Sequence, residues 1–171
     1  MILRSESRST HDLDIVLAVS RESEADDVVR GLRFLRGYRD HPEQPMLWRK
    51  GGDLLGVRLL SPPLDEEDNG SIVDVLLGAS GIEADIVALA EPLEVIPNVF
   101  IPVAQSGHLV ALKILAGRSQ DLVDIKVLLQ EMAESDLQLA RRSLQLIEER
   151  GFNKEGRDLL VELARLVDSG E

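Results

Sequence analysis

The sequence predicts an α/β (α+β) protein in which a small mixed β-sheet is backed by helices and followed by a helical C-terminal third. Three observations predict this fold class. Every second residue is apolar over 12–19, and short apolar runs at 54–60 and 71–77 are followed by Pro or Gly, as expected for strands. From 108 onward, apolar residues instead recur three and four positions apart, which is typical of helices.

The first predicted elements are a strand over 12–19 and a helix over 22–35. Acidic residues occupy the first turn of the helix, and apolar residues recur along one of its faces. Ser20 is the expected N-cap, and Gly37 is the expected end of the helix. A loop rich in Pro and Gly is expected to separate this helix from the two later strands.

The second half of the chain predicts mostly helices. Apolar segments broken by Pro over 82–103 indicate a small helix and one or two edge strands. A nearly apolar helix over 108–116 should end at Gly117, and three further helices should follow. Their expected N-caps are Ser119, Ser135 and Asn153. We expect two domains, 1–134 and a helical pair at 135–171.

The charge balance excludes several classes of function. The 171 residues include 19 Lys and Arg against 31 Asp and Glu, a formal net charge of −12, which disfavours nucleic-acid binding over most of the surface. Basic residues concentrate between 30 and 50, so a local basic patch remains for an RNA acceptor. Because Cys is absent, thiol nucleophiles and Cys-ligated metals are excluded. No apolar run suggests a membrane segment or signal peptide, so a cytoplasmic location is expected.

Three aspartates form the first candidate site. Asp12 and Asp14 lie two apart in a strand, so their side chains leave the same face, where a divalent cation would relieve their repulsion. Asp74 lies at the centre of an apolar strand, where a lone buried charge is costly. If that strand neighbours the first, three carboxylates meet at a site suited to Mg²⁺ or Mn²⁺. Alternatively, the first two acids point into water and Asp74 lies on a solvent-facing side.

A second candidate cluster follows in the helical half. Lys113 is the only charge in an apolar helix, so it must either extend to the surface or meet an anion. Arg118, Asp121 and Asp124 come next, and the two acids share one helix face. The alternative is structural: Arg118 pairs locally with Asp121, and Lys113 reaches solvent.

Taken together, three segments resemble the minimal nucleotidyltransferase superfamily, and within it the AbiEii-type toxins of bacterial toxin–antitoxin pairs. The first is Arg-x-Thr-x-Asp-x-Asp at 8–14, and the second is Val-Asp-Val at 73–75. The third, at 109–124, combines Leu-x-Ala-Leu-Lys with Ala-x-Arg-x-x-Asp-x-x-Asp. The similarity extends over roughly residues 8–129, and the order of the segments makes it more specific than the Asp-x-Asp motif alone.

The resemblance implies transfer of a nucleoside monophosphate from a nucleoside triphosphate to an acceptor hydroxyl in RNA or protein. It implies that Asp12, Asp14 and Asp74 hold Mg²⁺ or Mn²⁺, with Asp74 as a ligand or as the base for the attacking hydroxyl. The residues implied to contact the nucleotide or to position those that do are Thr10, Lys113, Arg118, Asp121 and Asp124. The implied protein partner is an antitoxin-like protein or a second copy of the chain.

One feature departs from the family pattern. Members carry a Gly-Gly or Gly-Ser turn upstream of the aspartate pair, where backbone N–H groups hold the triphosphate, but here no glycine precedes Gly31. We therefore expect either that the true start lies upstream of Met1 or that the copy is degraded and binds nucleotide weakly. Two functions stay open: a metal-dependent nucleotidyltransferase, or a catalytically inactive module of this fold that works through protein contacts.

Overall fold

The computed structural model confirms the predicted mixture of helices with a small mixed sheet. It describes residues 12–19, 22–48, 54–63, 65, 69–78, 80–153 and 156–168. The described residues fall into two compact units, the first over 12–78 and the second over 80–168. The predicted domains 1–134 and 135–171 stay a prediction, since compactness alone does not identify parts that fold independently. No helix in the described ranges is long and apolar enough to cross a membrane.

The first unit contains a mixed five-stranded sheet. Its strands are β1 (Asp12–Val16), β2 (Arg39–Asp40), β3 (Met46–Trp48), β4 (Leu54–Leu60) and β5 (Ile72–Leu76). The order is β1-β5-β4-β2, with β3 also paired to β4. β1 and β5 are parallel, whereas the other pairs are antiparallel. β2 and β3 lie within the predicted loop, because strands of two or three residues are too short to show an apolar period.

One face of this sheet carries the core of the first unit. The helix α1 (Glu22–Arg36) covers it and contributes Val29, and the buried strand residues beneath are Val57, Leu59, Val73 and Val75. Each of these strand residues alternates with a residue on the opposite face. The predicted helix over 22–35 is thus correct to within one residue, and its expected cap Ser20 lies outside the described residues.

Gly56 allows β4 and β5 to approach closely. A Cβ atom at this position would lie 2.0 Å from the backbone oxygen of Val75, far inside van der Waals contact. Any larger residue would therefore push the two strands apart. Two residues later in the same pairing, Arg58 lies opposite Asp74.

The second unit combines a β-hairpin with helices. Its elements are α2 (Glu83–Ala88), β6 (Glu91–Ile96), β7 (Val99–Val103), α3 (Ser106–Ala116), α4 (Asp121–Glu131), α5 (Glu134–Glu149) and α6 (Leu159–Asp168). β6 and β7 pair only with each other among the described strands. The small helix, the two strands and the later helices all occur where the sequence predicts them.

α3 is the central helix of this unit. Gly107 lets it pack tightly on α5, since a Cβ there would lie 2.4 Å from the backbone oxygen of Asp136. At its C-terminus, Gly117 adopts a φ of 62°, as predicted for a helix end. Arg157 donates hydrogen bonds to the carbonyl oxygens of Ile114 and Leu115, which the end of the helix leaves without intrahelical partners.

The predicted caps of the later helices are wrong. α4 and α5 begin after Gln120 and Ala133, and no side chain caps either of them. For α6, the carboxylate of Asp158 accepts a hydrogen bond from the backbone N–H of Val161 at 3.0 Å, the geometry of an N-cap. Asn153 instead donates to the carbonyl oxygen of Arg157, so it stabilises the loop before the helix.

Candidate active site

The structure places two of the three predicted carboxylates side by side. Asp14 on β1 is the register partner of Asp74 on β5, and partners on parallel strands present side chains to the same face. This face is opposite to the core beneath α1, since Val73 and Val75 point the other way. Asp14 is exposed, whereas Asp74 is only 8% exposed. We refer to Asp14 and Asp74 as the acid pair.

Asp74 forms a two-bond ion pair with Arg58. Arg58 is its register partner on antiparallel β4. The guanidinium Nε donates to Oδ1 and Nη2 donates to Oδ2, each at 2.7 Å. Such a pair supplies both charge and hydrogen bonds to a buried carboxylate, which removes most of the cost of burying it.

The backbone of β4 fixes the direction of the Arg58 side chain. The backbone N–H of Arg58 donates to the carbonyl oxygen of Pro45 at 2.9 Å. The carbonyl oxygen of Arg58 accepts a hydrogen bond from the backbone N–H of His41 at 3.0 Å. Both groups therefore point away from β5, so Arg58 and Asp74 form a non-hydrogen-bonded pair of the ladder, in which opposite side chains lie closest. Nη1 also donates to the side-chain oxygen of Gln44 at 3.3 Å.

Arg58 was not among the predicted site residues. The available signal was that it is the only charged residue in an otherwise apolar strand, on the alternate face from Val57 and Leu59. What the sequence does not contain is the register between β4 and β5, which places Arg58 opposite Asp74 rather than opposite a neighbour.

The acid pair is chemically suited to a hard divalent cation, because Mg²⁺ and Mn²⁺ prefer carboxylate oxygens. Within the described part of the chain, no three His, Asp or Glu side chains are grouped to hold a metal. The third expected ligand, Asp12, pairs through its backbone with Ile72, but its side chain lies outside the described residues, as does Thr10. Two of the three expected ligands therefore lie side by side, Asp74 has a cation beside it, and the role of these acids as metal ligands stays a prediction.

The second predicted cluster lies in the other unit, between α3 and α4. Lys113 Nζ donates to Asp121 Oδ1 at 3.1 Å and to Asp124 Oδ2 at 2.7 Å. Arg118 Nε donates to Asp121 Oδ2 at 2.7 Å. Arg118 thus pairs locally with Asp121, as in the structural alternative, but Lys113 contacts two carboxylates instead of reaching solvent. These bonds join the two helices, and the nucleotide-binding roles of these residues stay predictions.

The predicted basic patch is partly neutralised where the structure describes it. Arg30 lies 3.5 Å from the Asp27 carboxylate, and Arg33 pairs with Asp40. Arg36 and Arg39 add two further exposed cations on α1 and β2. The patch therefore keeps a positive balance, which is the property that an RNA acceptor would need.

A third group of polar residues, in the second unit, was missed by sequence reasoning. His108 on α3 is 1% exposed, and its Nδ1 has no hydrogen-bond partner among the described residues. Burial lowers the pKa of His108 below 6.5, although the nearby Asp85 carboxylate acts in the opposite direction. A hydrogen bond from Arg150, at 2.6 Å, lowers the pKa of Asp85. The signal was a histidine at the start of an apolar helix.

Comparison with known proteins gives no family. A scan against protein-family models finds no match, and a search of curated proteins finds no significant relative. The likeness to nucleotidyltransferases therefore stays a resemblance carried by the three sequence segments, and the function is argued from the site.

Proposed function

We propose that this chain is a Mg²⁺-dependent nucleotidyltransferase whose metal site is built on β1 and β5. The observation that supports the proposal most strongly is the acid pair: two carboxylates at paired positions of adjacent parallel strands, on the face that the core does not occupy. Carboxylate oxygens are the ligands that Mg²⁺ prefers, and Arg58 already supplies one positive charge to Asp74. Asp12, two residues before Asp14, is the third proposed ligand.

The proposed reaction is an in-line displacement at the α-phosphorus of a nucleoside triphosphate. An oxygen–phosphorus bond forms from the acceptor hydroxyl, the bond to the bridging oxygen of the β-phosphate breaks, and pyrophosphate leaves. The acceptor proton passes to Asp74 or to water. When bound, the metal would neutralise the phosphate oxygens and orient the α-phosphate. The protein would contribute mainly fixed carboxylates and positioning.

For Lys113, in the second unit, contact with nucleotide phosphates is proposed from the sequence resemblance alone. Because Asp121 and Asp124 both hold its ammonium group, we assign these acids to positioning. Arg118 shares Asp121 with Lys113 and would contribute a further positive charge. The proposed acceptor is an RNA or protein hydroxyl, with the basic residues of α1 and β2 as the RNA-facing candidates.

The test is a transfer assay with nucleoside triphosphates labelled at the α-phosphate, in the presence of Mg²⁺ or Mn²⁺ and total RNA or protein as acceptor. We expect metal-dependent labelling that Asp14→Asn reduces by about a hundredfold or more, as for loss of a direct electrostatic contribution to the transition state. Asp26→Asn, an exposed acid on α1, is the matched control and should retain activity. Equal activity of Asp14→Asn and the parent chain would refute the proposed site.

The second candidate is an inactive module of the same class that acts through protein contacts. The observation in its favour is an exposed apolar pair at the end of α1, where Phe34 is 81% and Leu35 is 82% exposed. Large exposed apolar side chains commonly mark interaction surfaces. This candidate predicts a chain that shows no transfer with any acceptor and self-associates, and whose Phe34→Ser/Leu35→Ser variant is monomeric by sedimentation. Val123→Ser, exposed on α4, is the control.

A further inference from the structure

We propose that α1 is a dimerisation helix: two copies of the chain pack their α1 helices antiparallel and cross at Gly31. This inference rests on the second candidate function and deepens it, because it names the partner and the geometry of the self-association expected there. Such a dimer is also compatible with an active enzyme, since the acid pair lies on the sheet face opposite to α1.

The first support is an apolar patch on the outer face of α1. Val28, Gly31, Phe34 and Leu35 lie three and four positions apart and therefore share one face of the helix, and we refer to them as the α1 patch. Val28 is 40% exposed, and Phe34 and Leu35 are 81% and 82% exposed. The core side of the same helix buries Val29. A helix that also carries large apolar side chains on its outer face is suited to cover a second surface.

The second support is that Gly31, at the centre of the α1 patch, leaves room for another helix. Among the described residues, a Cβ built at Gly31 meets no atom within 4 Å apart from the local helix backbone and the chain neighbours. A helical glycine is less stable than alanine, and packing inside the unit does not require one here. At a helix crossing, a glycine lets two backbones approach closely, as Gly107 does where α3 packs on α5.

The third support is the distribution of charge along α1, which selects a second copy as the partner. Residues 22–27 include four acids, whereas residues 30–36 include three arginines. When two such helices pack antiparallel, the acidic half of each lies beside the basic half of the other. Parallel packing would place like charges together. The helix is therefore complementary to itself in one orientation, as an interface between two identical copies requires.

An antiparallel crossing at Gly31 brings the turn before this residue against the turn after it. Val28 of one copy then meets Leu35 of the other, once on each side of the two-fold axis. Asp27 and Arg30 lie 3.5 Å apart on one helix with side chains 75% and 64% exposed, so each can also face its opposite charge on the second copy. The contact is one helix wide and smaller than a standard interface, so we expect a Kd on the order of tens of micromolar.

The experiment is disulfide cross-linking of the full chain, which contains no cysteine, so that each variant carries a single thiol. Residue 31 faces its own copy at the crossing, so Gly31→Cys should form a covalent dimer under mild oxidation. Ser23→Cys, exposed near the start of the same helix, is the matched control. In the antiparallel dimer the two copies of residue 23 lie roughly 24 Å apart along the helices, so this variant should stay monomeric. Equal cross-linking of the two variants, or of neither, would overturn the proposal.

Sedimentation equilibrium of unlinked chains gives a second measurement. Gly31→Gln places a side chain at the crossing and should raise the Kd by about tenfold or more, without lowering the melting temperature of the dilute chain. Asp26→Gln, an exposed change on α1 outside the α1 patch, should associate like the parent. A parent chain that stays monomeric at about 1 mM would overturn the proposal and leave the α1 patch to an unlike protein.

Charge reversal tests the orientation of the helices. Asp27→Arg and Arg30→Glu should each self-associate about tenfold more weakly than the parent, because each brings like charges together across the crossing. An equimolar mixture of the two should associate like the parent, because each variant supplies the charge that the other lacks. A mixture as weak as its components would contradict the antiparallel arrangement.

The transfer assay separates this inference from the proposed functions. If the chain transfers nucleotides and Gly31→Gln is an active monomer, the inactive module is refuted and the dimer stands. If the parent self-associates but Gly31→Gln associates equally well, the inference fails while both candidate functions remain.

Discussion

Asp74 is a buried carboxylate in the centre of an apolar strand, and its ion pair with Arg58 offsets the energetic cost of burying its charge. Because Asp74 accepts two hydrogen bonds from Arg58, removing the acid takes this carboxylate away from a partly buried guanidinium. We expect Asp74→Ala to lower the free energy of unfolding by about 2 to 4 kcal/mol, measured by urea denaturation. Asp40→Ala removes the partner of Arg33 at a more exposed site and should cost less than about 1 kcal/mol. Equal losses would show that burial of the Asp74 pair does not matter.

The buried His108 should make the free energy of unfolding depend on pH. Its folded-state pKa lies below 6.5 because of burial, so as the pH falls below about 6.5 the unfolded chain binds a proton that the folded chain does not. The free energy of unfolding should therefore fall between pH 7 and pH 5. Asp85, whose pKa is lowered by Arg150, contributes stability that is lost only at more acidic pH, below 3.8.

The check is to compare the parent chain with His108→Phe by urea denaturation at several pH values. The difference between the two pH dependences gives the contribution of His108 alone, because the other histidines are present in both chains. The variant should show a shallower decline from pH 7 to pH 5. An identical decline in both chains would mean that His108 takes up its proton equally in the folded and unfolded states.

Two helical glycines should respond in opposite ways to substitution, because one lies at the contact between α3 and α5 and the other has open space around it. Gly107→Ala would place a Cβ 2.4 Å from the backbone of α5 and should destabilise the second unit by about 1 to 3 kcal/mol. Gly31→Ala lies within α1 with no atom within 4 Å of the new Cβ, and should stabilise by about 0.5 to 1 kcal/mol. Thermal denaturation measures both, and a stabilising Gly107→Ala would contradict the described packing.

The ion pairs of Lys113 with Asp121 and Asp124, which join α3 to α4, should contribute to stability. Lys113→Met removes the ammonium that Asp121 and Asp124 share, and Asp121 is only 2% exposed. We expect a loss of about 2 to 3 kcal/mol, reduced from that of a fully broken buried pair because Arg118 stays bound to Asp121. Urea denaturation is the measurement. A variant as stable as the parent would show that the contacts of Lys113 with Asp121 and Asp124 do not stabilise the fold.

Sequence periodicity was sufficient for the longer elements but not for the site. β5 and α1 follow patterns that persist over several residues, so their positions could be predicted. The face of the sheet on which Asp14 and Asp74 lie could be predicted for the same reason, because side chains alternate between the two faces along a strand. The partner of Asp74 could not be predicted, because the register between β4 and β5 determines that Arg58 lies opposite it. Register is fixed by turns and by contacts between distant parts of the chain. The predicted N-cap of α6 was also wrong, because Asp158 and not Asn153 accepts a hydrogen bond from the backbone N–H of Val161.

At the scale of the whole molecule, the acidic balance opposes nucleotide binding. A net charge of −12 repels a triphosphate. We expect Mg²⁺-ATP to bind no more tightly than about millimolar, or roughly −4 kcal/mol, by calorimetry. Micromolar binding would show that groups of this chain hold the phosphates strongly enough to overcome the repulsion.

The proposed divalent-metal site on β1 and β5 is tested most directly by a Mn²⁺ titration of the ¹⁵N-labelled chain followed by nuclear magnetic resonance. A paramagnetic ion broadens the amide signals nearest to it even when it binds weakly. We expect the signals from residues 13–15 and 73–75 to broaden first and Asp14→Asn to suppress this broadening. Broadening that begins at other acidic segments and is unchanged in Asp14→Asn would contradict the proposed site.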